Sequence, residues 1–272
     1  MTDQYAVIGN PVAHSKSPAI HAEFARQLGH DISYVVIHAE LDAFEATVHA
    51  FRSKGGRGMN VTLPFKHRAY ALARERTPRA EDARAVNTLV LDTPNIGGDN
   101  TDGAGLVRDI TVNLGCALRG SRILLLGAGG ASYGVAGPLL DEAPASLAIA
   151  NRTFEKAVEL REQFSSAKGA AELLAIGYDA LPGRQFDVVI NATSAGLSGT
   201  MPALPSGLFA SAALAYDMVY GKTPFLDFAR SEGASTADGL GMLVEQAAES
   251  FLVWRGVRPE TPPVIALLRR PA

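Results

Sequence analysis

Cysteine is almost missing from this chain: Cys116 is the only one in 272 residues. No intrachain disulfide can form, and a reducing compartment, the cytoplasm, is expected. A charge excess is missing too. With 25 Lys+Arg against 28 Asp+Glu, the formal net charge of −3 gives no electrostatic reason to expect nucleic acid as a partner. Apolar runs stay short of the roughly 18 residues that a membrane span needs. The opening MTDQYAVIGN enters a strand pattern without the charged and apolar regions of a secretory signal, so no membrane partner is expected either. Repeats of fixed period and low-complexity tracts are absent. What remains is a globular composition, 47% hydrophobic and 19% charged, long enough for two modest domains with separate cores.

The most informative stretch is RILLLGAGGASY, from Arg122 to Tyr133. A buried-strand run breaks into glycines and restarts as a helix, the arrangement that cradles a phosphate. Gly127 suits the backbone angles of the turn, and Gly129 permits close approach of a pyrophosphate at the helix N-terminus. Ser132 stands where the dinucleotide fingerprint has its third glycine. A tight strand-to-helix connection without ligand is the plain alternative. Further short apolar strands, 147–150, 188–190 and 214–216, indicate a doubly wound sheet. After its second strand, where an NAD site has an acidic residue, the chain reads Asn151, Arg152, Thr153 and Lys156. Two cations and two neutral donors fit a 2′-phosphate; a helix cap at Thr153 with solvated cations is the competing reading. NATSAG (191–196) follows the fourth strand and is expected to line the cofactor cleft.

Toward the N-terminus, strands are expected at 5–8 and 34–37, helices at 18–28 and 43–54, and a third strand in GMNVTLPFK, ended by Pro64. This describes a small parallel or mixed sheet with helical layers. Ser15 and Ser17, two apart beside a helix start, can aim two hydroxyls at a small carboxylate; Ser17 before Pro18 also reads as an N-cap. His14 has no visible metal partner and reads as a loop histidine. Asn60, Thr62 and Lys66 are expected at the C-terminal edge of the third strand, where open α/β sheets bind ligands, although a lone lysine is ordinarily solvated. A hairpin that begins at Asn87, in AVNTLVLD, and continues through GGDNTDG delivers Asp102 to the start of a helix expected over 101–114. There Asp102 could cap the helix or pair with Lys66 to handle a proton. In the last long helix Leu243, Ala247, Phe251 and Trp254 share a face with Gln246 beside them, and this helix is expected to return to the first domain.

In order, GNPVAHSKSP, MNVTLPFK, GDNTDG, GAGGAS, NRT, NATSAG, YDMVYGKTPFL and DGLGMLVEQA make nearly the whole chain resemble the shikimate dehydrogenases, which reduce 3-dehydroshikimate to shikimate with NADPH in aromatic amino acid biosynthesis. It departs from the family's frequent residues at Ala22, Tyr133 and Lys156. The resemblance implies an α/β fold of two domains with a cleft between them: a discontinuous substrate domain (1–102 with 240–272) and a Rossmann-like NADP-binding domain (103–239). It implies that Lys66 and Asp102 are catalytic and that Ser15, Ser17, Asn60, Thr62, Asn87, Tyr220 and Gln246 hold the substrate. NADP contacts are implied at Gly127, Ala128, Gly129, Gly130, Ala131, Asn151, Arg152, Thr153, Lys156, Thr193, Met218 and Gly239. No metal is implied, and a monomer or homodimer is expected. Quinate or NAD chemistry on the same fold is a second reading, and the paired serines argue against quinate. A nicotinamide-binding regulatory protein without turnover is a third, and it has no use for Lys66 beside Asp102.

Overall fold

Short runs of β-branched and apolar residues lay β1 (Asp3–Gly9), β2 (Ile32–His38) and β3 (Gly56–Val61) side by side, β1 being parallel to both neighbours. The crossovers are α1 (Ser17–Leu28) and α2 (Phe44–Ser53). After α3 (Lys66–Leu72), β4 (Glu75–Arg76) and α4 (Pro78–Ala83), the strands β5 (Thr88–Val90) and β6 (Gly97–Asp99) form an antiparallel hairpin against β3. The sheet is therefore mixed, in the order β2-β1-β3-β5-β6-β4. Phe44, Met59, Phe65 and Leu89 fill its core with essentially no exposure, each burial worth about 1.5–3 kcal/mol.

The computed structural model describes residues 2–165 and 171–270, and the chain divides into two units: Met1–Gly105 with Val244–Ala272, and Leu106–Leu243. The chain passes from one to the other inside α5 (Asp102–Arg108). A single α-helix expected to reach Leu114 is instead replaced by a π-helical turn at Asp109–Asn113. The cause is Asp109: its buried carboxylate accepts hydrogen bonds from Tyr216 Oη at 2.6 Å and Asn113 Nδ2 at 2.9 Å, and the widened turn keeps it there.

The second unit is an entirely parallel sheet. β7 (Arg122–Leu126), α6 (Gly130–Asp141), β8 (Ser146–Ala150), α7 (Phe154–Phe164), β9 (Glu172–Ile176), β10 (Phe186–Asn191), β11 (Phe209–Asp217), α8 (Pro224–Ser231) and β12 (Ser235–Asp238) follow in turn. The strand order is β12-β11-β10-β7-β8-β9, so the winding reverses between β7 and β10, where doubly wound sheets bind their ligands. Leu124, Leu125, Ile149, Val189 and Ile190 are fully buried, as strands covered on both faces require.

The chain then returns through α9 (Leu240–Arg255) and α10 (Pro262–Leu268). Trp254 Nε1 donates to Leu89 O at 3.0 Å, and a Cβ on Gly58 would stand 2.4 Å from that same nitrogen. Glycine at 58 thus lets α9 lie against β3. Among the described residues no helix is long and apolar enough to cross a membrane, and no group of His, Cys, Asp and Glu could hold a metal ion.

Candidate active site

Lys66 opens α3 and Asp102 opens α5, and their side chains meet: Lys66 Nζ lies 2.6 Å from Asp102 Oδ2, with only 21% and 11% of the two side chains exposed. The other carboxylate oxygen, Oδ1, accepts from Asn87 Nδ2 at 2.9 Å. Asp102 does not cap its helix with its own side chain, since both oxygens are engaged. Asn100 Oδ1 accepts from the Asp102 N–H at 3.2 Å instead. The turn behind it is pinned by Asp99, which Arg79 grips with Nε at 2.7 Å and a second nitrogen at 2.6 Å. Burial pushes the Asp99 carboxyl up, but the bonds and charge of Arg79, aided by Thr77, bring it below the ordinary value.

Asn87, just before β5, is the hub of this corner. Its Oδ1 accepts from Thr88 Oγ1 and from the Thr101 N–H, both at 2.9 Å. Its Nδ2 faces Thr101 Oγ1, Asp102 and, at 3.3 Å, Gln246 Oε1. Gln246 arrives because α9 lies close to α5: a Cβ on Gly105 would come within 2.7 Å of the Gln246 nitrogen. Asn60 is buried one strand away. Its Nδ2 donates to Ser250 Oγ at 2.9 Å and faces Asn87 O and Thr88 Oγ1, while its Oδ1 accepts from Tyr34 Oη at 2.7 Å. The amide nitrogen of Asn60 therefore serves the protein's own network.

Ser15 and Ser17 do lie together, Ser15 Oγ donating to Ser17 Oγ at 3.1 Å. Ser17 is not the N-cap of α1, however. It is the first helical residue, Lys16 precedes it, and its N–H is satisfied by Ser15 Oγ at 3.2 Å. Thr62 is half-buried at the turn after β3, its N–H donating to Ile8 O at 2.9 Å. Gly9 makes room for it, because a Cβ there would lie 2.4 Å from Thr62 Cγ2. His14 is an exposed loop residue, as expected.

Tyr34 was missed by sequence reasoning. Burial raises its phenol well above the ordinary value, with only partial opposition from the Ser17 hydroxyl, so it stands with both Ser17 and Asn60. His21 stacks on it, ring centroids 4.3 Å apart and planes 7° from parallel. Thr88, Thr101 and Ser250 were missed as well. A tyrosine on the strand after α1 and small hydroxyl residues beside Asn87 are signals too common to single out.

In the second unit Gly127 adopts φ +106° after β7, a left-handed conformation that glycine alone takes easily. Gly129 is different: its backbone is extended and nothing lies within 4 Å of a Cβ built on it. No neighbour in the chain requires glycine at 129, so the space in front of this backbone is open. Ala128 N donates to Asn151 Oδ1 at 3.2 Å, joining the glycine loop to the end of β8, and Ser132 Oγ donates to Gly127 O at 2.8 Å. The first N–H groups of α6, at Gly130 and Ala131, point out of the helix end as at any helix N-terminus. Arg152, Thr153 and Lys156 are exposed, and among the described residues neither Arg152 nor Lys156 is in an ion pair. Across the winding reversal, Thr193 follows β10 and Met218 follows β11, while Gly239 precedes α9. A backbone cradle, free cations and a helix N-terminus fit a phosphorylated dinucleotide. Tyr220 is also in this unit and is partly exposed.

Known proteins carry the same organisation. Residues 7–89 match the model of the shikimate dehydrogenase substrate binding domain, 110–198 that of shikimate / quinate 5-dehydrogenase, and 239–269 that of the shikimate 5′-dehydrogenase C-terminal domain. A protein of Nitrosospira multiformis named shikimate dehydrogenase (NADP(+)) is 61% identical, covering 99% of this chain and 98% of its own. The crystal structure of an Ael1 enzyme from Pseudomonas putida is 50% identical with a TM-score of 0.92, covering 99% of both chains. A Thermus thermophilus shikimate 5-dehydrogenase, solved with NADP(H) and shikimate, is 34% identical with a TM-score of 0.88 and the same coverage. With likeness of this extent on both units, the chain belongs to the shikimate dehydrogenase family.

Proposed function

We propose that the chain catalyses the reversible, NADP-dependent reduction of 3-dehydroshikimate to shikimate, with Lys66 and Asp102 at the reacting carbonyl. The observation that carries this is the ion pair itself, a mostly buried ammonium held 2.6 Å from a carboxylate whose other oxygen is fixed by Asn87. NADPH, when bound, supplies the hydride. As the carbonyl carbon becomes tetrahedral its oxygen gains negative charge. The Lys66 ammonium then stabilises that charge and delivers the proton. Asp102 keeps the ammonium in place and accepts a hydrogen bond from a neighbouring substrate hydroxyl; in the oxidative direction the same pair takes the proton back.

The substrate carboxylate is assigned to Ser15 and Ser17, backed by the Tyr34 phenol. Asn87, Gln246 and Thr62 are assigned to the ring hydroxyls, with Asn60 framing them through Asn87 and Thr88, and Tyr220 is assigned to the substrate by family resemblance. For the cofactor, Gly127 to Ala131 would cradle the pyrophosphate. Asn151, Arg152, Thr153 and Lys156 would take the 2′-phosphate, and Thr193, Met218 and Gly239 the remaining rim. The first unit is thus the substrate domain and the second the NADP domain. A reducing cytoplasm accords with the single cysteine.

Nicotinamide absorbance measured with shikimate or quinate, each with NADP and with NAD, tests the assignment. The expected result is turnover of shikimate with NADP well above the other three combinations; equal turnover of quinate or with NAD would reject it.

A further inference from the structure

Thr193, Met218 and Gly239, assigned to the cofactor, are held from within the second unit. Behind them is a buried carboxylate. Asp217, the last residue of β11, is fully buried and faces no cation within hydrogen-bond reach among the described residues. Three donors converge on it: Asn191 Nδ2 at 3.1 Å and Thr223 Oγ1 at 2.7 Å on Oδ2, and the Val219 N–H at 3.0 Å on Oδ1. Asn191 is the last residue of β10, equally buried, and directly opposite Asp217 in the sheet register.

The hydrogen-bond directions leave no freedom here. Since Asp217 can only accept, Asn191 must present its NH₂ to it. The carbonyl oxygen of the same amide is thereby aimed the other way, where it accepts from Thr193 Oγ1 at 2.7 Å and from the Thr193 N–H at 3.2 Å. On the second branch, Met218 N donates to Asn191 O at 3.0 Å and Gly239 N to Val219 O at 3.3 Å. A Cβ on Gly239 would stand 2.2 Å from Met218 O, so these two backbones touch. One carboxylate thus sets the orientation of the Asn191 amide that holds Thr193, and through the Val219 N–H it ties down the turn that Met218 and Gly239 share.

We propose that Asp217 is a positioning residue for NADP, fixing Thr193 by orienting Asn191 and fixing Met218 and Gly239 by holding the Val219 turn; the proposal rests on the assignment of those three to the cofactor. An amide at 217 cannot replace the carboxylate. In either orientation its NH₂ faces a donor, Asn191 Nδ2 or the Val219 N–H, and turning Asn191 to relieve the first conflict brings an NH₂ against the Thr193 N–H. Exchanging the two residues restores the pairs with Thr193 and Val219 and the pair between residues 191 and 217, leaving only the Thr223 hydroxyl to turn from donor to acceptor. A carboxylate at 191 accepts from Thr193 on one oxygen and from the new amide on the other, and that amide still accepts from Val219 and donates to the Thr223 hydroxyl.

The experiment measures the NADPH dissociation constant by nicotinamide fluorescence without substrate, shikimate affinity by calorimetry, and the melting temperature. It uses the wild type, Asp217→Asn, the double variant Asn191→Asp with Asp217→Asn, and Thr193→Val. Asp217→Asn is expected to weaken NADPH about tenfold or more while shikimate affinity is unchanged, for about 1.4 kcal/mol per tenfold. The double variant is expected to return to within about threefold of wild type. Weakened NADPH binding by the folded double variant overturns the proposal even if the single variant does not fold, and so does unchanged NADPH binding by Asp217→Asn with only a lowered melting temperature. Unchanged binding by Thr193→Val would instead remove the cofactor assignment on which it rests.

Discussion

Asn87 in the first unit and Gly129 in the second are both assigned to ligand binding, yet they are prepared for it differently. Asn87 is buried and meets Thr88, Thr101, Asp102 and Gln246, so the substrate corner is a closed side-chain network before any ligand arrives. A Cβ on Gly129 would meet nothing within 4 Å, and Arg152 and Lys156, beyond the end of β8, are exposed and without carboxylate partners among the described residues. Order there lies in the backbone and one layer behind it. A network whose members already satisfy one another discriminates by geometry, because a wrong ligand leaves buried groups unpaired. Exposed cations discriminate by charge, which is strong for phosphate and tolerant of position.

The largest effect is expected at Lys66. Lys66→Ala is expected to lower kcat about 10²- to 10⁴-fold with little change in KM for shikimate, the pattern of an interaction made in the transition state. If steady-state kinetics return a near-normal kcat and a raised KM, Lys66 is a binding residue. At the charged, open end, Arg152→Ala is expected to cost about 1.5–3 kcal/mol, a 10- to 100-fold rise in the NADP KM, while NAD is barely affected. Equal loss with both cofactors would show that charge recognition is not what this side chain does.

Acid should separate the units. His21 is fully buried, its ring nitrogens meet no partner in hydrogen-bond geometry, and burial pushes its pKa from 6.5 to about 3, against a weaker pull from Asn60. Above pH 6.5 the folded and unfolded states are alike in charge at this residue. As pH falls from there toward 3, only the unfolded chain takes up the proton, so stability is lost at about 1.4 kcal/mol per pH unit. Asp217 in the second unit moves oppositely: burial raises its pKa despite the bonds from Thr223, Val219 and Asn191, so its cost at neutral pH is relieved as acid protonates it. Hydrogen exchange at pH 5 is therefore expected to find β1 and β3 deprotected relative to β7 and β10, and His21→Phe to flatten the slope; parallel loss in both sheets would erase the distinction. The smallest effect is expected at the substrate carboxylate. Ser15→Ala should cost about 1 kcal/mol of shikimate binding, and a calorimetric titration with an analogue lacking the carboxylate should show no such loss.

Legibility in the sequence followed the range of the interaction. The strands β7, β8, β10 and β11 announce themselves as apolar runs closed by polar turns. β12, reading STAD, has no such run and is a strand because β11 pairs with it, and β9, for all its apolar Leu173 to Ile176, is a half-exposed edge strand. α3 and α10 were likewise hidden, being seven residues each, too short for periodicity to register. Within the candidate site, Lys66 and Asp102 were visible through motifs, and their meeting follows from two helix starts brought together by the β3–β5–β6 pairing. Tyr34, Ser250 and Asp217 were invisible because their importance lies in a partner far off in the chain: 26 residues separate Tyr34 from Asn60, and 190 separate Asn60 from Ser250. The π turn at Asp109 is another such case, dictated by a tyrosine 107 residues later.

The close packing at Gly105 has a consequence for how the molecule is made. Gln246 and Ser250 belong to α9, yet the groups they satisfy, Asn87, Asn60 and Thr88, are on strands translated long before. At synthesis rates of about 5–20 residues per second, the early strands wait on the ribosome for the whole second unit to emerge, with polar groups meant for burial still facing water. The nascent chain can assemble the second unit first, and it completes the side-chain network around Asn87 only when its last long helix has left the exit tunnel.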